Sequence, residues 1–164
     1  QMTLSTNLKQ TGLSNEFLAP VLDALPEHIA VMDEQSEIIY VNQAWRQFAD
    51  NNGQQSKYWC LGQRYLDVVE NATENPDDQN RNMAVQLKEL LRGNLNKFCV
   101  EYPCHSPAEK NWFKVTFSRI CFAQRQFAVA SHEKITELFQ VNRELVKKIQ
   151  LFIILMVMQH NYAF

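Results

Sequence analysis

Cys104 and His105 stand side by side in the run Glu101-Tyr-Pro-Cys-His-Ser-Pro107, with Cys99 five residues upstream. A thiol next to an imidazole suggests three chemistries, and each requires a partner group. Covalent haem attachment needs a second cysteine three residues before the first, and position 101 is Glu. A zinc centre needs about four placed ligands. Cys99, Cys104 and His105 supply three, and on a continuing strand Cys99 faces away from Cys104. A Cys-His nucleophile pair needs a shared proton, which adjacent residues on an extended strand cannot share because they point to opposite faces. Pro103 and Pro107 instead favour a stiff bend between two strands, with Cys104 packed and His105 at the surface or bonded to the backbone. A Cys/His redox or metal sensor stays as a third alternative for the whole chain.

The other cysteines, Cys60 and Cys121, add no CxxC pair and no regular spacing, so the four read as reduced thiols rather than a disulfide framework. With 164 residues, 46% hydrophobic and 21% charged, the chain has the material for one globular core plus an appendage. A formal net charge of −2 with scattered Lys and Arg excludes a nucleic-acid-binding stripe. The first twelve residues are polar and carry no basic segment followed by an apolar run, so no secretory signal is read and the expected location is cytoplasmic, including the cytoplasmic part of a membrane-associated sensor.

The elements that must hold these groups follow from periodicity. Ser14 can cap a helix through Phe17, Leu18, Val21, Leu22 and Leu25, flawed by Pro20 and closed by Pro26. Ile29-Ala-Val-Met32 and Ile38-Ile-Tyr-Val41 read as two strands joined by a tight turn at Asp33-Glu-Gln-Ser36. Asn42 is placed to cap the next helix, which Gly53 ends, and residues 54–70 predict one or two short helices. Asn75-Pro76-Asp77-Asp78 has the order of a helix start, and Met83, Leu87, Leu90 and Leu91 recur at helical spacing until Gly93 stops them. Three strands follow, at 98–102, 112–122 and 127–132, with Phe113, Val115 and Phe117 alternating against polar neighbours. From Thr136 the apolar residues Leu138, Val141, Leu145, Ile149, Phe152 and Met156 approximate a heptad seam, so this helix needs a partner. Residues 151–158 are apolar all round, far short of the ~20 residues that span a bilayer. They read as a buried or self-associating helix end, with a truncated membrane span as the alternative.

This order of elements resembles a PAS domain over about residues 17–150. The matching signals are Ala30-Val-Met-Asp33, Ile38-Ile-Tyr-Val-Asn42, Trp112-Phe113 opening a long strand, and Ser131-His-Glu-Lys-Ile-Thr136 closing the last one. Two positions depart from the family pattern. Ser36 replaces the glycine of the first turn, which predicts a turn without a positive φ, and Lys134 replaces the junction aspartate, leaving Glu133 as the nearest carboxylate. The resemblance implies an α+β fold with a five-stranded antiparallel sheet, helices on one face and a small pocket between. It divides the chain into a flexible segment 1–13, a flanking helix 14–26, a sensory domain 27–136 and a linker or dimerisation helix 137–164.

The same resemblance implies a sensory, non-enzymatic module of a two-component or diguanylate cyclase-type signalling protein. Such a module binds a small ligand or a partner PAS surface, pairs as a homodimer through its flanking helices, and relays its signal to an output domain. A ligand-free dimerisation domain is the alternative. Tyr40, Asn42, Trp45, Trp59, Tyr65, Phe98, Phe113, Val115, Phe117, Val129, Ser131 and His132 are the pocket candidates, with Thr116 a further polar handle, and Glu133, Ile135 and Thr136 form the signal junction. Each aromatic fits a filled core as well as a ligand contact, so the sequence leaves pocket and plug open. Haem is not supported, since residues 76–92 hold no histidine and only His132 or His105 could substitute. Flavin is not supported either, because Cys60 lies in Tyr-Trp-Cys-Leu-Gly without the Asn-Cys-Arg-Phe signature.

Overall fold

A computed structural model describes residues 15–51, 58–71, 78–104 and 110–161. The elements are α1 (Asn15–Asp23), β1 (His28–Met32), β2 (Ile38–Val41), α2 (Gln43–Asn51), α3 (Tyr65–Asn71), α4 (Asp78–Leu91), β3 (Lys97–Pro103), β4 (Trp112–Phe122), β5 (Arg125–Lys134) and α5 (Thr136–Asn161). The five strands form one antiparallel sheet in the order β2-β1-β5-β4-β3. His105, Pro107, Gly53 and the Asn75-Pro76-Asp77 helix start lie outside the described residues. Two compact units divide the chain, one made of Gln1–Val100 and Val115–Glu133, the other of Glu101–Lys114 and Lys134–Phe164.

In the first unit the period-two alternation sorts the central strands cleanly. β1 pairs with β5 in the register His28↔His132, Ala30↔Ala130 and Met32↔Ala128, and with β2 in the register Ala30↔Val41 and Val31↔Tyr40. Ala30, Met32, Ala128 and Ala130 are fully buried on one face, joined by Val115 and Phe117 from β4. Leu87 and Leu90 of α4 are equally inaccessible. Burying each large apolar side chain contributes about 1.5–3 kcal/mol, so these residues set the core. α4 ends where Gly93 takes φ 90°, its N–H bonding the Leu90 carbonyl while Asn94 N–H reaches back to Glu89. That pair of bonds satisfies carbonyls the helix would otherwise leave open.

The first turn departs from expectation: Ser36 has φ 64°. The reason lies in Asp33, whose Oδ1 accepts the N–H groups of Gln35 and Glu37 at 3.0 and 2.9 Å and wraps the loop around itself. Ser36 N–H also bonds the Asp33 carbonyl, and the Ser36 carbonyl accepts Tyr65 N–H at 2.8 Å. These bonds over-determine a left-handed residue that costs a non-glycine about 1–2 kcal/mol. β5 starts at Arg125, two residues earlier than the spacing predicts, because Ala123 and Gln124 both take positive φ, at 50° and 62°. A two-residue turn of that kind matches the twist of the flanking strands, so β5 pairs from its first residue after the turn.

The second unit holds the end of β3, the start of β4 and α5. Cys104 N–H donates to the Asn111 carbonyl at 2.9 Å, closing the bend between the strands. Tyr102 stacks on Phe113 at 6.0 Å. Cys104 itself is exposed, not packed as its neighbours suggested, since the strand ends at Pro103 and releases the next side chain. Crowding by nearby atoms still pushes its thiol above the ordinary value, which works against a thiolate. α5 runs 26 residues, roughly 39 Å at the standard rise. Among the described residues, no helix is long and apolar enough to cross a membrane.

Candidate functional site

The densest chemistry in the first unit surrounds His132. β5 carries it opposite His28 of β1, and it is only 8% exposed. Its Nε2 lies 3.0 Å from the Tyr65 hydroxyl, which α3 supplies. Trp45 of α2 meets the imidazole edge-on at 5.4 Å. Tyr65 in turn packs edge-on against Phe117 at 5.4 Å, and Phe117 stacks on Phe98 at 4.7 Å. Burial first, and then the neighbouring His28, pull the His132 imidazole from 6.5 down to about 3. It is therefore neutral at physiological pH, with one ring nitrogen donating and the other accepting. Such a pair can orient a polar group or relay a proton, but it carries no charge of its own.

Asn42 is the second focus. Its Oδ1 accepts Ile29 N–H at 2.9 Å and Trp45 N–H at 3.1 Å, the latter capping α2. Its Nδ2 donates to the carbonyls of Leu22 and Glu27 at 2.9 Å each and of Leu25 at 3.4 Å. This fully buried side chain thus ties α1, the segment after it, β1 and α2 to one point.

Asp23, at the end of α1, makes a parallel set of bonds. It accepts from the Tyr40 hydroxyl at 3.0 Å, from Gln43 N–H at 2.8 Å and from Arg46 at 3.1 Å. Partial burial alone pushes its carboxyl up, but those bonds outweigh it and hold the group below its ordinary value.

The structure therefore splits the residues that the sequence grouped. Trp45, Tyr65, Phe98, Phe117 and His132 form one connected cluster, with Val115 buried on the same face of the sheet. Trp59 joins through its backbone, since Trp45 Nε1 donates to the Trp59 carbonyl at 3.1 Å and Trp59 Nε1 reaches Asp50 at 2.8 Å. Trp59 and Cys60 both hold positive φ, at 52° and 72°, so the segment entering this cluster is strained. Val129 and Ser131 pair with Val31 and Ile29 and point to the opposite face of the sheet from His132. Tyr40 lies opposite Val31 on that same far face, its hydroxyl engaged by α1, and Thr116 alternates with the buried Val115 and Phe117. Phe113 belongs to the second unit.

Sequence reasoning missed His28 and Asp23. His28 stacks on Phe48 of α2 at 4.5 Å, and a histidine opening a strand was the only available signal. A surface cavity of about 440 Å³ lies beside it, walled by Asp23, Pro26, Gln43, Gln47 and Asn51. Among the described residues, no cluster of three or more His, Cys, Asp or Glu could hold a metal ion.

The junction is built in the second unit. Ile135 N–H donates to the Trp112 carbonyl at 2.8 Å, and Trp112 N–H donates to Thr136 Oγ1 at 3.1 Å. The Trp112 ring lies flat on Phe139 at 3.8 Å, one turn into α5. Ile135 is buried, whereas Glu133 is exposed, and Thr136 Oγ1 donates to Asn111 Oδ1 at 3.5 Å.

No family model matches the chain. Solved structures do: the sensor region of a sensor histidine kinase superposes over 82% of this chain and 48% of its own, with TM-score 0.53 and 10% identity. The PAS domain of BvgS from Bordetella pertussis covers 82% of this chain and 96% of its own, with TM-score 0.50 and 17% identity. The chain has the PAS fold. An RNA-binding Light-Oxygen-Voltage receptor matches 99% of the chain and 43% of its own, with TM-score 0.64 and 14% identity, so the PAS likeness extends along α5 as well. In sequence, the chain is 34% identical over 123 residues to a Rhodobacter capsulatus protein described as an uncharacterized 104.1 kDa protein in the hypE 3' region. That alignment takes in 74% of this chain and spans 13% of the relative's length.

Proposed function

We propose that this chain is a non-enzymatic sensory module that reads a small ligand or a partner PAS surface through the His132–Tyr65–Trp45 cluster. α5 relays the change to an output domain. The observation that carries this reading is the Trp112 clamp. A single residue at the start of β4 holds Ile135 and Thr136 through two backbone bonds and Phe139 through a stacked ring. A shift of that strand end would carry the first turn of α5 with it. Leu138, Val141, Leu145 and Ile149, all about half exposed or more, then supply a seam for a second copy, and a rotation of α5 becomes a change in helix pairing. The 104.1 kDa relative, 13% of whose length aligns with this chain, favours a place within a longer chain.

The reading is tested with Thr136→Ala and Trp112→Ala in a longer chain that carries its output domain. Output that no longer responds to stimulus, with the seam still paired, supports the relay. An unaltered response in both variants overturns it. The exposed seam also favours a plain dimerisation role without ligand. Native mass spectrometry of the purified protein separates the two readings, since a retained small molecule belongs only to the first.

A further inference from the structure

A paired coiled coil buries one stripe of each helix, and α5 carries more apolar surface than one stripe can account for. Leu145, Ile149, Phe152 and Met156 follow steps of 4, 3 and 4 and make the seam. Leu151, Ile154 and Met158 follow the same steps on the opposite side, in line with Lys147. At 3.6 residues per turn, residues 151–158 cover more than two full turns, and each of the eight is between 49% and 62% exposed. A helix apolar on every side is covered by several neighbours or by lipid.

Charge selects between these. From Leu145 onward α5 carries no acid, while Arg143, Lys147 and Lys148 cluster immediately before the apolar girth. A parallel bundle of four such helices would bring eight lysine ammonium groups into one ring, which repels, whereas the same lysines suit anionic headgroups. Length sets the geometry. Residues 149–158 extend about 15 Å, half the hydrocarbon thickness, and polar residues bound them on both sides, Lys147 and Lys148 before and Gln159, His160 and Asn161 after. Such a segment is too short to cross the bilayer, and its apolar girth can be covered by acyl chains next to the headgroups.

We propose that residues 149–158 of α5 form a lipid-contacting segment at an anionic membrane, with Lys147 and Lys148 among the headgroups. The test uses the full 164-residue chain and co-sedimentation with two kinds of vesicle: phosphatidylcholine mixed with phosphatidylserine, and phosphatidylcholine alone. Binding to the mixed vesicles is expected, weakening about fivefold for each lysine removed in K147Q and K148Q. I154D/L155D loses binding altogether, and circular dichroism checks that α5 remains helical in all the variants. Equal binding to both vesicle types, or none to either, overturns the proposal. So does a tetramer or larger bundle in solution whose residues 151–158 are protected from hydrogen exchange and gain nothing from vesicles.

Discussion

The interior of the first unit and the surface of α5 are inverted relative to each other. One puts polar side chains where water is absent, the other puts apolar side chains where water is abundant. Inside, Ser36, Asn42 and His132 are buried, and among the described residues no buried side-chain polar atom lacks a hydrogen-bond partner. Outside, every apolar residue of α5 from Leu145 to Met158 is about half exposed. A buried, satisfied polar group adds little net stability but makes alternatives costly, so it specifies one arrangement. An exposed apolar stripe specifies nothing by itself and acquires meaning only when something covers it. The first region is written to be one structure, and the second leaves its apolar surface open.

Asn42 is the sharpest way to break the first half of that contrast. Asn42→Ala removes the cap of α2, the acceptor for Ile29 N–H and the donor to the Glu27 carbonyl, while the Leu22 carbonyl keeps Leu25 N–H. A lost cap costs about 1 kcal/mol and each of the two stranded groups about 1–3 kcal/mol, so the expected loss is about 3–7 kcal/mol in chemical denaturation. Asn42→Asp keeps the acceptor but turns a second buried oxygen toward the carbonyls of Leu22, Leu25 and Glu27, and should cost at least as much as alanine. A loss below about 1 kcal/mol in the alanine variant would mean that α1 is held by other contacts and that the hub is incidental.

The other half is tested on the seam. Under the proposed relay, L145E/I149E puts carboxylates into both partners of a pair and weakens association roughly a hundredfold, by about 3 kcal/mol. Sedimentation should then report monomer, while near-ultraviolet signals from Trp45 and Trp59 in the first unit stay unchanged. A dimer that persists would place the contact away from α5.

Legibility follows the same division. The alternation of Phe113, Val115 and Phe117, the spacing of Leu87 and Leu90 and the stop at Gly93 were readable because each is a local pattern with one solution. Asn42 as a helix cap was equally local, but its other partners lie 13 to 20 residues away, and no window of sequence joins them. The positive φ at Ser36 was misread because the absence of glycine was taken to mean the absence of strain, whereas the Asp33 carboxylate imposes it. Val129 and Ser131 were grouped with His132 although period two assigns them to the other face. The site was legible as a set of residue types and not as a surface, since faces depend on register and register on pairing.

His132 sharpens the comparison through pH. Its imidazole sits at about 3 in the folded chain against about 6.5 when unfolded, so between those values only the unfolded chain binds the proton. Stability is therefore full above pH 6.5 and falls as pH drops toward 3, by about 1.4 kcal/mol per unit from this group. His28, also held down by burial, acts in the same direction. The lowered carboxyl of Asp23 adds its own loss only below its ordinary 3.8, which leaves the window from about 4.5 to 6.5 to the histidines. His132→Asn should flatten the denaturation-versus-pH curve in that window, and an unchanged slope would show that the imidazole is not buried as described.

The smallest effect lies at the β4–β5 turn, where neither a buried polar group nor an uncovered apolar stripe is involved. Ala123 and Gln124 hold positive φ at an exposed tip, a conformation that disfavours residues with a Cβ and suits Asn-Gly. Ala123→Asn with Gln124→Gly leaves every packed contact in place and removes the backbone penalty, partly offset by the extra freedom glycine brings to the unfolded chain. A gain of about 0.5–1 kcal/mol is expected, with the pH slope and the association constant untouched. If stability falls instead, the tip is held by contacts that the two native side chains make. The sharp line drawn between a self-specified interior and a partner-dependent surface would then have to move to include it.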